Sequence, residues 1–282
     1  MLTEIKRVLL RMMPDSVAGR LRAWRIRNLI RTFQPRVVEH TYGGGTLKVY
    51  LADPLARGWY DHDWPELPEV TVLRQSRLRP GARVLDIGAH QGVVALMLAR
   101  EVGPSGQVVA VEPNPHNATV AIKNRELNGL LQIEVVQAAV SDSPGTLVFN
   151  EGLNGQMDDG TGHWGRITVD AVTVDGLINR FGVPDVVFLD VEGAECLALA
   201  GAANAIASGA DFFVEVHVGH GLEKLGGSVD RVLSYFPPER FTRLVRAESD
   251  AAFRPLINLD PLTTDRFFLL ALAIATSNGG VA

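Results

Sequence analysis

The stretch that decides the fold is VLDIGAHQGVVALMLA, which runs from Val84 to Ala99. A short apolar run contains Asp86 near its end, a turn with two glycines follows, and the last residues are apolar at helical spacing. This pattern predicts a buried strand, a tight turn and an amphipathic helix. Gly88 and Gly92 would let backbone N–H groups approach a ligand closely where that helix begins.

Short apolar segments and helical segments alternate after this stretch. We predict strands at 83–87, 107–112, 132–138, 185–190 and 211–217, helices at 91–102, 115–128 and 192–208, and a closing pair of strands near 241–246 and 266–275. This alternation is typical of an α/β protein with a doubly wound, mostly parallel sheet and helices on both faces. Such sheets bind ligands at the carboxyl ends of their strands, so the residues there are the candidate site residues.

The first part of the chain has a different organisation. A β-hairpin around three glycines is predicted between Val37 and Leu51, and a helix is predicted to end near Arg79. We therefore divide the chain into an N-terminal helical arm, hairpin and helix at 1–79, a sheet domain at 80–276, and a disordered tail at 277–282.

The net charge of −5 is unevenly distributed. Residues 1–36 have nine Lys or Arg side chains and two acids, a balance of +7, which leaves −12 for the remainder. Such a basic arm could contact an anionic membrane surface or nucleic acid, although the acidic remainder disfavours nucleic acid. It could also pack on its own domain or on a second subunit in a homodimer. With one cysteine, Cys196, and neither a signal peptide nor a membrane-spanning run in evidence, we expect a cytoplasmic protein.

An acid before the glycine turn distinguishes it from a dinucleotide site. Asp86 would repel a pyrophosphate but attract the ammonium and sulfonium groups of S-adenosylmethionine. Glu112, after the next strand, could accept hydrogen bonds from both ribose hydroxyls, as in an NAD site. Ala138 and Ala139 would leave a flat slot for adenine, with Asp142 just beyond. The sequence favours S-adenosylmethionine over the alternative, an NAD-dependent oxidoreductase.

Further acids follow the fourth and fifth predicted strands of the sheet. Asp190, Glu192 and Glu195 lie within six residues of one another, and Glu215 and His217 share one face of a strand. A neutral His217, oriented by Glu215 or Asp190, is a candidate general base. Alternatively, Asp190, Glu192 and His217 could bind Mg²⁺ or Mn²⁺, which would lower the pKa of a substrate hydroxyl.

The segment from Glu151 to Arg166 is long and rich in glycine. Its composition is typical of a lid over an active site, and equally of a solvated connection. The candidate contacts to a small-molecule substrate are polar and aromatic side chains of this segment and one strand acid: Asn154, Gln156, His163, Trp164 and Glu215.

Five stretches in order, VLDIGAHQG, VVAVEPNP, VQAAVSD, LDVEGAE and VEVH, resemble the FkbM family of S-adenosylmethionine-dependent methyltransferases. The resemblance covers about 81–217. It implies a class I methyltransferase (Rossmann-like) fold and O-methylation of a hydroxyl on a sugar, glycoside or other natural product. It also implies a set of residues around the cofactor, Asp86, Gly88, Ala89, His90, Gly92, Glu112 and Pro113, and a set at the reaction edge, Asp190, Glu192, Glu215 and His217.

Two positions depart from the family pattern. His90 stands where members frequently have Asn, and Phe188 stands where they frequently have a lysine. The first change keeps a hydrogen-bonding side chain, whereas the second removes a charge beside the site. A methyltransferase of nucleic acid or protein, and a non-catalytic cofactor-binding protein, remain the alternative functions.

Overall fold

The computed structural model describes residues 15–150, 166–257 and 265–274. The predicted tail and the candidate substrate residues Asn154, Gln156, His163 and Trp164 lie outside these ranges.

The N-terminal region contains the predicted arm helix, hairpin and helix. Its elements are α1 (Asp15–Thr32), β1 (Arg36–Tyr42), β2 (Gly45–Leu51), α2 (Pro54–Tyr60) and α3 (Pro68–Arg74). The two strands pair antiparallel, with a turn of two glycines between them. Helix α3 ends five residues before the predicted Arg79, and the chain reaches the sheet through a turn.

The sheet domain follows, and its elements are given in chain order. The strands are β3 (Arg83–Ile87), β4 (Gln107–Val111), β5 (Ile133–Val136), β6 (Ala139–Val140), β7 (Gly145–Asn150), β8 (Arg166–Val172), β9 (Val186–Leu189), β10 (Asp211–Val216), β11 (Phe241–Ala247), β12 (Arg254–Pro255) and β13 (Phe267–Ala273). The helices are α4 (Val93–Val102), α5 (Pro115–Asn128), α6 (Val174–Phe181), α7 (Glu195–Ala200), α8 (Ala203–Ser208) and α9 (Val229–Ser234).

The central sheet confirms the predicted fold class. In the described ranges it has eight strands in the order β12-β11-β13-β10-β9-β3-β4-β5. The strands from β10 to β5 are parallel, and β13, β11 and β12 continue the sheet antiparallel. All the parallel strands therefore end at one edge, where β3 and β9 are direct neighbours.

Two predicted elements are shorter than expected. The predicted strand at 132–138 ends at Val136, and β6 belongs instead to a separate three-stranded sheet with β8 and β7, which the sequence did not predict. The predicted helix at 192–208 is two helices, separated at Gly201. A Cβ at Gly201 would come within 2.4 Å of the carbonyl oxygen of Ser141, the residue after β6, if the backbone did not move, so the two segments pack too closely for a side chain there.

Apolar side chains cover both faces of the central sheet. Val84 belongs to one cluster with the hairpin and α4, while its neighbours Leu85 and Ile87 belong to another cluster with α7, α8 and α9. This alternation follows from the period of two in a strand. Burial on both faces explains why the parallel strands are continuously apolar.

The arm helix α1 exposes apolar side chains. Trp24 is 57% exposed and Leu29 is 50% exposed. The expectation that the arm packs on its own domain is therefore not met at these two residues. In the described part of the chain, no helix combines the length and the apolar character needed to cross a membrane.

Helix α5 joins the hairpin to the sheet domain through two asparagines one turn apart. The Asn124 amide accepts from Tyr50 N at 2.7 Å and donates to the Gln91 carbonyl at 2.8 Å. Asn128 accepts from Lys48 N at 2.9 Å and donates to the Lys48 carbonyl at 2.7 Å. Asn124 is fully buried, so water cannot replace its partners.

We expect Asn124→Ala to lower the free energy of unfolding by about 2–3 kcal/mol, because it leaves buried backbone groups without partners. The matched control is Asn128→Ala, which removes similar contacts at a half-buried position and should cost about 1 kcal/mol or less. Urea denaturation at fixed pH measures both values. Equal losses in the two variants would contradict the role assigned to Asn124.

Candidate active site

Two cavities meet at the carboxyl edge of the parallel strands. The first lies over the ends of β3 and β4, and the second, with a volume of about 510 Å³, lies beside it toward β10 and β13. Five residues line both cavities and form the border between them: Trp59, Gly88, His90, Asp190 and Glu192. A group that passes from a ligand in one cavity to a ligand in the other must cross this border.

Glu112 lies at the floor of the first cavity and is 4% exposed. Its carboxylate accepts from His90 N and from Asn114 N, both at 2.9 Å. Burial outweighs these hydrogen bonds and raises the pKa of Glu112 to about 7. Each carboxylate oxygen can accept more than one hydrogen bond, so Glu112 can still receive those of a diol.

Asp86 is the buried acid at the end of β3, and it lines the second cavity. It is 5% exposed, and its Oδ2 has no hydrogen-bond partner in the structure. Burial, with a smaller contribution from Glu112, raises the pKa of Asp86 to about 7. A buried, unsatisfied carboxylate oxygen fits the ammonium group of S-adenosylmethionine, which would supply the missing hydrogen bond and the opposite charge.

The two glycines of the turn have different roles. At Gly88 the φ angle is +89°, and a Cβ there would collide with the Asp190 carbonyl oxygen. Gly92 begins α4, and a Cβ there would lie 3.0 Å from Ala121 Cβ in α5. Gly88 is therefore required for the narrow border between the cavities, whereas Gly92 lies outside both linings and allows the two helices to approach.

Two border residues have an unusual backbone conformation. Outside glycine, positive φ angles occur in the described residues only at His90, with 48°, and at Glu192, with 51°. Side chains in this region of φ carry a conformational cost, and such residues are concentrated at functional sites. Both residues line the border between the two cavities. Their backbone conformation therefore favours this border as the place where the reaction occurs.

His217 lies at the end of β10 behind the acids of the border. It is 2% exposed, and its Nδ1 lies 2.7 Å from Glu195 Oε1. Its Nε2 lies 3.6 Å from Asp190 Oδ1, 3.7 Å from Glu192 Oε2 and 3.6 Å from Glu215 Oε1. Glu195, rather than the predicted Glu215 or Asp190, therefore orients the ring through a hydrogen bond.

These four acids control the protonation of His217. Burial by itself would lower the pKa of His217, but the hydrogen bond to Glu195 and the charges around the ring outweigh it and raise the pKa to about 9. Burial, followed by the charge of Glu215, raises the pKa of Asp190 well above its ordinary value. One oxygen of Asp190 is buried without a hydrogen bond although its side chain is 47% exposed.

The same residues could hold a cation. One ligand atom from each of Asp190, Glu192 and His217 lies within 4.8 Å of the other two. Carboxylate and imidazole ligands suit a divalent ion such as Mg²⁺ or Mn²⁺. The Glu195 hydrogen bond would leave Nε2 as the ligating nitrogen, as in many histidine metal sites.

Aromatic and charged side chains form the wall of the second cavity. Phe188, at the position where the family frequently has lysine, packs on Phe213 with ring centroids 5.0 Å apart. Phe213 in turn stacks on Phe268. The lining has five acids and two arginines, and each arginine faces an acid: Arg266 lies 2.9 Å from Glu215, and Arg246 lies 3.7 Å from Glu69.

Most of the predicted cofactor residues lie together. The first cavity is lined by Gly88, His90, Glu112, Pro113, Ala138 and Ala139, and the second by Asp86, Gly88, Ala89 and His90. Asp142 is exposed, bonds to the neighbouring Ser143 hydroxyl, and lies outside both linings. The chain turns away into the small sheet before it reaches Asp142, which explains the difference.

The sequence did not predict the N-terminal contribution to the site. Trp59 and Tyr60 at the end of α2, together with Trp64 and Glu69, line the second cavity. The aromatic residues between 59 and 64 were the only available signal, and no periodicity links that segment to the sheet edge.

A family model and several relatives match the chain. The model of the methyltransferase FkbM domain matches residues 86–244. Ribosomal protein L11 methyltransferase of Myxococcus xanthus is 32% identical over 102 residues, which are 36% of this chain and 35% of the relative. Catechol O-methyltransferase of Mycobacterium tuberculosis is 38% identical over 105 residues, 34% of this chain and 48% of the relative. The matches thus span less than half of either relative.

Solved methyltransferase structures are also similar. Methyltransferase FkbM from Methylobacillus flagellatus has a TM-score of 0.44 and 18% identity, over 67% of this chain and 43% of that one. An S-adenosylmethionine-dependent O-methyltransferase from Thermotoga maritima has a TM-score of 0.45 and 15% identity, over 88% and 81% of the chains. Because the family model matches more than half of the chain's 282 residues, the chain belongs to the FkbM methyltransferase family.

Proposed function

We propose that this methyltransferase transfers a methyl group to a hydroxyl oxygen of a sugar, a glycoside or another natural product bound in the second cavity. The observation that supports this most is the character of that cavity, which has a volume of about 510 Å³ and walls of aromatic rings and carboxylates. Aromatic faces bind the apolar face of a ring, and carboxylates accept hydrogen bonds from its hydroxyls. The volume is typical of a small-molecule site.

The charge of the cavity argues against nucleic acid as the acceptor. Five acids face it, and its two arginines already have acidic neighbours. A nucleic-acid site needs cations for the phosphates of the backbone. A neutral hydroxyl compound makes no such demand.

The residues of the two cavities have separate tasks in this reaction. Asp86 binds the cofactor ammonium group and Glu112 the ribose hydroxyls, so that the cofactor, which supplies an activated methyl group, lies along the border. Trp59 and Gly88 shape the passage between donor and acceptor. Alignment of the two reactants accounts for a large part of the rate in a displacement of this kind.

The acceptor hydroxyl must also lose its proton. Asp190 and Glu192 lie at the border, and His217 lies directly behind them at 3.6–3.7 Å. We assign proton removal to this group, with a neutral His217 assisting through the two acids. The oxygen–carbon bond forms as the carbon–sulfur bond breaks, and the proton remains on the protein.

A divalent cation is the alternative way to assist the hydroxyl. The observation in its favour is the close approach of the ligand atoms of Asp190, Glu192 and His217. A cation there would bind the hydroxyl and lower its pKa directly, so no histidine base would be needed.

Transfer of a labelled methyl group tests the function. The protein is incubated with S-adenosylmethionine carrying ¹³C in the methyl group and, separately, with a panel of neutral glycosides, a catechol, RNA and ribosomal protein. We expect an O–¹³CH₃ signal in the glycoside or natural-product samples. Transfer to RNA or protein alone would overturn the proposed acceptor class.

Cofactor affinity should depend on pH through Asp86. Its raised pKa, about 7, means that the carboxylate is protonated below that pH, so S-adenosylhomocysteine, which retains the ammonium group, should bind more tightly as pH rises. We expect Kd to tighten by up to about fivefold from pH 6 to pH 7 and about tenfold by pH 8, where the change levels off. Calorimetry of the wild type and of Asp86→Asn measures this. The variant should bind more weakly and lose the contribution of Asp86 to the pH dependence, which leaves that of Glu112, and an unchanged dependence would contradict the assignment to Asp86.

The two modes of proton removal give different pH profiles. Without a metal, only neutral His217 can accept a proton, so kcat/KM should rise about tenfold per pH unit up to about pH 9, the raised pKa of His217. His217→Gln should lower kcat by about 100-fold or more and leave cofactor affinity unchanged. Steady-state assays in EDTA and in excess Mg²⁺ decide between the modes. Activity that is lost in EDTA and restored by Mg²⁺ would show that a bound cation, and not His217 as a base, assists proton removal.

A further inference from the structure

Asp53 fixes the N-terminal end of α2 to the turn from Gly88 to Gly92, which is called the cofactor turn below. This carboxylate is fully buried and caps the helix by accepting from Ala56 N at 2.9 Å. It also accepts from Gln91 Nε2 at 2.7 Å and lies 3.0 Å from His116 Nε2. Gln91 belongs to the turn between Gly88 and α4, and His116 to the first turn of α5. The start of α2 is thereby held by both elements that follow the cofactor strands.

The other end of α2 reaches the same turn through Tyr60. The Tyr60 hydroxyl lies 2.8 Å from His90 Nδ1, within hydrogen-bond distance. Tyr60 is 5% exposed, and the Tyr42 hydroxyl donates to its carbonyl oxygen. Trp59 packs beside it, with its ring centroid 5.0 Å from that of His90. Tyr60 is therefore buried, and its hydroxyl reaches one atom of the turn, His90 Nδ1.

His90 links this contact with Tyr60 to Glu112, the acid proposed to bind the ribose hydroxyls of the cofactor. Its φ angle of 48° lies in the left-handed region, which a histidine keeps only when its surroundings hold it there. In this conformation its backbone N–H donates to Glu112 Oε2 at 2.9 Å. A change in the His90 backbone would remove that bond and leave the Glu112 carboxylate held only at its other oxygen, where it accepts from Asn114 N.

We propose that Tyr60 is a positioning residue for the cofactor: its hydroxyl fixes the His90 side chain, and the His90 backbone in turn orients Glu112. Tyr60 lies outside the residues matched by the family model, 86–244. The N-terminal region thus sets the geometry of a cofactor site whose binding residues lie in the sheet domain. The proposal rests on cofactor binding and is independent of the acceptor.

A double-mutant cycle on S-adenosylhomocysteine binding tests the proposal. The proteins are the full-length wild type, Tyr60→Phe, His90→Asn and the double variant, measured by calorimetry at pH 8. Asn tolerates the left-handed region, so His90→Asn removes the ring without forcing the backbone. We expect each single variant to bind about fivefold to tenfold more weakly, which corresponds to one hydrogen bond. The double variant should bind no more weakly than His90→Asn alone, because both changes break the same connection.

Tyr42→Phe is the matched control. It also removes one buried hydroxyl from the N-terminal region, but its bond goes to the Tyr60 carbonyl and not to the cofactor turn. It should lower Tm to a similar degree as Tyr60→Phe and weaken binding much less than Tyr60→Phe does. The proposal is overturned if Tyr60→Phe binds like the wild type, if the two single effects multiply in the double variant, or if the control weakens binding equally. Failure of the wild type to bind would instead overturn the cofactor site itself.

Discussion

The burial of carboxylates at one edge of the parallel sheet is the constraint on which the rest of the site depends. Parallel strands end at the same edge, so acids that follow them are brought together and away from water. Asp86 and Glu112 both have a pKa raised to about 7 by this burial. Glu112 is satisfied by backbone N–H groups, whereas Asp86 retains an unpaired oxygen. The proposed binding of a cationic cofactor at Asp86 would offset the cost of this unpaired oxygen.

The same constraint explains the surroundings of His217. Four carboxylates lie around one buried ring, and positive charge on that ring or on a metal ion beside it would offset their mutual repulsion, as Arg266 beside Glu215 also does. Once a hydroxyl has given its proton to His217, the imidazolium offsets the repulsion between Asp190 and Glu192. In the metal-free mode the positive charge thus forms on His217 as it takes the proton, whereas a metal ion would supply positive charge beforehand.

The sequence predicted the parts of the fold and site that depend on local pattern. The strand ends with Asp86, Glu112 and Asp190 follow from apolar runs bounded by acids and glycines, and the mostly parallel sheet follows from their alternation with helices. The small sheet and the break at Gly201 depend on packing between distant segments, which leaves no local signal. Likewise, the hydrogen bond from Glu195 to His217 depends on how α7 lies against β10.

The N-terminal region also shows why a division of the chain at residue 80 does not divide the site. Without α2, the buried Gln91 side chain loses the Asp53 carboxylate, and His90 loses its contact with Tyr60. The turn would then hold a strained backbone at His90 without the contacts that stabilise it. Since Asn124 ties the hairpin to α5 and to the Gln91 carbonyl, the hairpin, α2 and the cofactor turn form one hydrogen-bonded unit. Folding of the N-terminal region and formation of the cofactor site are therefore coupled. A sheet domain expressed alone would lack the contacts that Asp53 and Tyr60 make with the cofactor turn.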